Sequence, residues 1–175
     1  MKHTHIYLIG MPGSGKTTLG QALAAALSLP FADMDARIEA FANMPIARIF
    51  AESDEEAFRR MESEALAQCA GEPPQVIATG GGAVLREGNV ALMRATGTVL
   101  WIDRPLDHIL SDLRQDTRPL LAGDAAQRLR ALYAERKALY RAAAHHRLDN
   151  RGAQEVTLRH ALAVLKENPA HSKKA

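Results

Sequence analysis

The 175-residue sequence predicts an α/β fold, a parallel sheet of five strands sandwiched between two layers of helices. Two observations predict it. Short apolar runs alternate with longer stretches whose apolar residues recur at helical spacing, the pattern of repeated βα units. The first of those runs, "IYLIG" (6–10), also leads directly into "GMPGSGKTTLG" (10–20), a glycine-rich turn between a strand and a helix. In a parallel sheet of this kind function gathers at the carboxyl ends of the strands, where the connecting loops meet.

The elements follow in order. Strands with their exits fall at 6–10, 29–35, 75–82, 98–105 and 146–150. Helical periodicity covers 16–28, 36–42, 46–70, 87–95, 105–114, 124–144 and 153–166. The stretch "RQDTRPLLAGDAAQ" (114–127) breaks periodicity at Pro119 and Gly123 and holds two arginines, which predicts a mobile lid over about 114–126. One domain spans 1–167. The tail 168–175 lacks an apolar face and is read as disordered.

Composition excludes several function classes. The net charge of +2 leaves no global field for nucleic acid, and aromatic residues, at 5%, are too sparse for a base-stacking platform. The apolar run after "MKHTH" is too short for a secretory core or a membrane span. Cys69 is the single cysteine, so no intrachain disulfide forms. These features predict a cytoplasmic protein, and no heptad or long apolar edge argues against a monomer.

Gly10-x-x-x-x-Gly15-Lys16-Thr17 is a complete phosphate-binding loop. Glycines let the backbone wrap around phosphate and aim its N–H groups from a helix N-terminus. Gly13, Ser14, Gly15, Lys16, Thr17 and Thr18 are therefore the nucleotide-binding residues, with Lys16 on the outer phosphates and the Thr17 hydroxyl toward Mg2+. This makes the predicted fold a three-layer P-loop NTPase.

Other segments admit two readings each. Asp33-Met34-Asp35 closes the second strand, where Asp35 could cap the next helix or both carboxylates could face one cleft. In "EEAFRRMESEAL" (55–66), Glu55 with Arg59 and Glu56 with Arg60 are spaced for surface ion pairs. The glycines of "ATGGGAV" (78–84) either meet a need for positive φ or let a small substrate lie on bare backbone. His145 and His146 read as a solvated pair, Trp101 as packing, and Arg104 and Asp107 as polar residues at a helix start.

Taken together, "GMPGSGKTT", "DMD", "FRRME", "TGGGAV", "TRPLLAG" and "LYR" occur in that order over residues 5 to 150, and the chain resembles the shikimate kinase family. The resemblance implies transfer of a phosphoryl group from ATP to the 3-hydroxyl of shikimate, with Mg2+. It implies that Asp33 supports the metal and that Asp35 grips the shikimate hydroxyls and acts as base. Arg59 and Arg141 pair with the shikimate carboxylate, Gly80, Gly81 and Gly82 form the pocket floor, and Arg118 swings from the lid onto the phosphates, so that Asp35, Lys16 and Arg118 are the catalytic set. The family often carries an arginine against adenine where this chain has Ser111. Arg114, Arg151 and Gln154 are the candidates for that side. Rival readings are a gluconate or nucleoside monophosphate kinase of the same fold, and a nucleotide-binding regulatory module without transfer.

Overall fold

The structure, a computed structural model, describes residues 5–116 and 119–167, the side chains of 113–123 excepted. Five strands, β1 (His5–Ile9), β2 (Phe31–Asp33), β3 (Val76–Ala78), β4 (Gly97–Asp103) and β5 (His146–Asp149), form one sheet in the order β2-β3-β1-β4-β5. Every pairing is parallel, with Tyr7 opposite both Ile77 and Val99. The order reverses at β1, which opens a crevice at the carboxyl end of that strand, where the glycine-rich loop emerges.

The strands are continuous apolar runs because both sheet faces are covered. Alternate residues feed two separate cores. Tyr7, Ile9, Val99 and Trp101 pack with Leu66, Met93 and Tyr140 on one face. Ile6, Leu8, Leu100 and Ile102 pack with Leu19, Leu23 and Leu165 on the other. Trp101 is buried and stacks on Tyr140, in agreement with its reading as packing. Cys69 is buried and free.

The helices are α1 (Lys16–Leu27), α2 (Met34–Ala42), α3 (Ile46–Glu52), α4 (Glu55–Gly71), α5 (Glu87–Thr96), α6 (Leu106–Asp116), α7 (Pro119–Ala143) and α8 (Gln154–Glu167), with a short 3-10 turn at Ala83–Leu85. Three boundaries differ from the periodicity. The single helix read over 46–70 is two, because Ser53 is extended and the Asp54 carboxylate accepts from the Ala57 N–H, capping a fresh start. The second strand ends at Asp33, whose carboxylate accepts from the N–H groups of Asp35 and Ala36; Asp33, not Asp35, is the cap of α2. The break read over 114–126 is mostly helical backbone, α7 starting on Pro119, where a proline's missing N–H costs nothing. Residues 117 and 118 and the tail 168–175 lie outside the described residues, so the calls on Arg118 and on the tail do too.

His145 is more than solvated: its Nδ1 accepts from the Val99 N–H at 2.9 Å, ahead of β5. Among the described residues, no helix is long and apolar enough to cross a membrane.

Candidate active site

The loop between β1 and α1 turns on glycines at positive φ, Gly13 at 76° and Gly15 at 95°, values that side-chain-bearing residues rarely adopt. The Lys16 ammonium folds back over this loop and donates to the carbonyls of Gly10 and Met11 at 3.0 and 2.8 Å. Burial pulls its pKa down to about 8, against the pull of Asp35 and Asp33 in the other direction. A half-buried cation at a glycine-rich helix start is a receptor for phosphate.

Beside it, the Thr17 hydroxyl donates to Asp33 Oδ2 at 2.8 Å. Asp33 and Asp35 both line a cleft of about 480 Å³ with Lys16, Thr17, Thr18 and Gly81. They reach it from a strand end and a helix start, not as alternate residues of one extended strand. Burial raises the Asp35 pKa, and the neighbouring Asp33 charge raises it further. Asp35 stays exposed to the cleft, and its raised pKa makes it a better proton acceptor than an unperturbed aspartate.

The next feature is a floor of glycines. None of Gly80, Gly81 and Gly82 has positive φ, so their need is for space. A Cβ at Gly80 would strike Glu62 Oε1 and sit 3.2 Å from Asp35 Oδ1, and one at Gly82 would sit 2.6 Å from Arg59 Nη2 and closer still to Nη1. A Cβ at Gly81 would lie 3.0 Å from the Pro12 ring and 3.5 Å from Arg136 Nη1. The Gly81 carbonyl accepts from the Tyr140 hydroxyl at 2.6 Å, which pins the floor to α7.

Arg59 is 9% exposed, far from a free surface residue. It does pair with Glu55 at 3.2 Å, the helix-surface pairing read from the sequence, but its stronger partner is Glu62 at 2.9 Å. Glu56 pairs with Arg86 instead of Arg60. Glu62 is 1% exposed, and burial raises its pKa against the influence of Arg59 and Arg136. Arg59 Nε, Glu62 Oε1 and Arg136 Nε are buried without a hydrogen-bond partner among the described residues. Three unsatisfied buried polar atoms in one neighbourhood mark a place where a ligand completes the bonding.

The arginine expected from α7 was Arg141, and the structure does not bring it to this group. Arg141 is exposed, whereas Arg136, on the same helix, is 7% exposed and faces Gly81, Glu62 and Tyr140. The reason is helical phase: Arg136 lies one turn before Tyr140, and Arg141 is about 140° around the helix from Arg136. Arg136 and Glu62 are the residues that sequence reasoning missed. A signal for each was present, since Glu62 falls on the apolar stripe Phe58, Leu66, Cys69 of α4 and Arg136 on the stripe of Leu129, Leu132, Tyr133 and Tyr140.

On the other side of the loop, a second cleft of about 270 Å³ is lined by Gly15, Thr18, His108, Asn150, Arg151 and Gln154 among others. Arg151 and Gln154, both read as candidates for this side, are there, with Gln154 donating to the Thr18 carbonyl at 3.2 Å. Ser111 is exposed on α6, and the Arg114 side chain lies outside those described.

A phosphate loop on the central strand, opening into a cleft that also holds Asp35 and a glycine floor backed by two buried arginines, defines a P-loop phosphotransferase. The comparisons narrow the class. The family model "Shikimate kinase" matches residues 12–166. A shikimate kinase from Symbiobacterium thermophilum is 47% identical over 87% of this chain and 91% of its own length. The solved structure of the Acinetobacter baumannii shikimate kinase in complex with shikimate superposes with a TM-score of 0.86 at 34% identity, covering 95% of each chain. The chain belongs to the shikimate kinase family, enzymes that phosphorylate shikimate at the expense of ATP. A gluconokinase from Sinorhizobium meliloti, at 17% identity and a TM-score of 0.61, shares the fold alone.

Proposed function

We propose that this chain transfers the γ-phosphoryl group of ATP to the 3-hydroxyl of shikimate, with Asp35 as base and Arg59 and Arg136 holding the shikimate carboxylate. The observation that carries this reading is the pair of buried arginines around Glu62, each with an unsatisfied Nε, beside a glycine floor. A planar carboxylate is the natural complement of two forked guanidinium groups. Arg136 takes the role that the family likeness placed on Arg141.

The reaction then runs as an in-line displacement. Asp35 accepts the proton of the 3-hydroxyl, and the freed oxygen pair forms the bond to the γ-phosphorus. The bond from that phosphorus to the β–γ bridging oxygen breaks, and ADP leaves with its electrons. Lys16 and the loop N–H groups neutralise the transferred group, with Arg118 joining them from the lid over about 114–126. The Thr17 hydroxyl, with Asp33 behind it, would hold a Mg2+ ion. When bound, such an ion would supply charge neutralisation to the phosphates. Gly13, Ser14, Gly15 and Thr18 hold the phosphates, and Arg151 and Gln154 meet the nucleoside. The enzyme is read as a cytoplasmic monomer.

A coupled ADP-release assay with shikimate, gluconate and AMP tests the proposal. ADP release that depends on shikimate alone is expected, and turnover with gluconate or AMP in its place would refute it. A nucleotide-binding module without transfer would release ADP with none of the three.

A further inference from the structure

The nucleotide side of the cleft holds a cation that the phosphate-loop motif does not account for. Arg104 directly follows β4, and its side chain is 24% exposed. Its Nη1 donates to the Gly13 carbonyl at 3.0 Å and pairs with Asp112 Oδ2 of α6 at 2.6 Å. The side chain thus stands between the phosphate loop and the helix that closes the nucleoside cleft, held from both sides. A residue that served only to start α6 would have no reason to reach across to the loop.

Its position is what gives it a ligand. Three residues line both the 480 Å³ phosphate cleft and the adjoining 270 Å³ cleft: Gly15, Thr18 and Arg104. Of these only Arg104 is charged. With the outer phosphates at Lys16 and the base beside Asn150 and Arg151, the α-phosphate must cross that seam. Ser111, on α6, brings no charge to an anionic ligand.

We propose that Arg104 is a nucleotide-binding residue, its guanidinium contacting the α-phosphate at the seam, with Asp112 the positioning residue that aims it. The inference rests on the reading of this cleft as an ATP site. A forked donor can keep one bond to the Gly13 carbonyl while offering its other N–H groups to phosphate oxygens.

The test is Arg104→Gln, which keeps a donor for Gly13 but removes the charge, with Arg104→Lys as the conservative partner. Binding of ATP, ADP and pyrophosphate is measured by calorimetry, and shikimate KM by ADP release. Arg104→Gln is expected to weaken ATP and ADP by about tenfold or more, to leave pyrophosphate and shikimate KM within about twofold, and Arg104→Lys to recover part of the loss. Unchanged ATP affinity in a wild-type-like Arg104→Gln overturns the proposal. So does an equal loss for pyrophosphate, which reduces Arg104 to a prop for the loop. A wild-type protein that binds no ATP overturns the reading of the cleft as well, whereas wild-type binding with an indifferent Arg104 overturns this assignment alone.

Discussion

Replacing Gly82 by alanine isolates the contact between the glycine floor and Arg59. Gly82 has φ −97° and ψ 0°, so alanine fits the backbone and the change reduces to one added methyl group. That methyl would stand 2.6 Å from Arg59 Nη2 and nearer to Nη1 and Cζ. Restoring ordinary contact requires the guanidinium to retreat by more than about 1 Å, enough to break the 2.9 Å bond that Nη1 makes to Glu62. A charge-assisted hydrogen bond is worth about 1.5–3 kcal/mol. Its loss therefore predicts a fall in kcat/KM for shikimate of about 10- to 100-fold. The KM for ATP stays within about twofold, since the phosphate loop is untouched, and this doubles as the check on folding. In an Arg59→Ala background the same methyl has nothing to displace, so the two losses do not add. Steady-state ADP release at varied shikimate measures both. An unchanged shikimate KM in Gly82→Ala would refute the reasoning, because it would mean that Arg59 can move freely or does not meet the substrate.

Three further outcomes are expected. Arg136→Ala raises shikimate KM by about 10- to 100-fold, the cost of one charged partner, while Arg141→Ala changes it by less than about twofold; the opposite ranking would return the role to Arg141. Asp35→Asn lowers kcat by about 10²- to 10⁴-fold, the range of a general base, with ATP binding retained; near-normal turnover would remove Asp35 as the base. The third outcome concerns acid stability. The Arg37 guanidinium, bonded to both Glu72 oxygens, holds that carboxyl down to about 2. A lowered carboxylate pKa stabilises the fold above its unfolded value, near 4.5, and the benefit is lost as pH falls toward about 2. With the Glu72 side chain 40% exposed, solvent screening limits the effect to about 1 kcal/mol or less. Arg37→Met should therefore lower the urea midpoint at pH 7 and approach the wild type as pH falls from 4.5 toward about 2, and a gap that stays constant with pH would contradict the assignment.

The donor half of the site was legible because its chemistry is local. The turn geometry at Gly13 and Gly15 and the ammonium of Lys16 belong to one short loop, so a motif captures them whole. The acceptor half depends on tertiary packing. Arg59 could be named from "FRRME", but its burial depends on the floor at Gly82, which arrives from the loop after β3. The choice between Arg136 and Arg141 turns on the phase of α7, and a motif anchored on "LYR" cannot register which face Tyr140 turns inward. Glu62 passed unnoticed since a glutamate in a charged stretch reads as solvated, although its spacing from Phe58 and Leu66 puts it on the inward stripe. The break between α3 and α4 escaped periodicity because α3 closes at Ser53 and Asp54 caps the next helix at the very next residue.

The central claim is a transfer to one hydroxyl of one acceptor, and analysis of the product tests it most directly. The purified protein is incubated with ATP, Mg2+ and shikimate, and the product is examined by phosphorus and proton magnetic resonance. A single phosphomonoester whose phosphorus couples to the proton on C3 of shikimate is expected. An ester at another hydroxyl, or ADP and free phosphate with no ester, would contradict it.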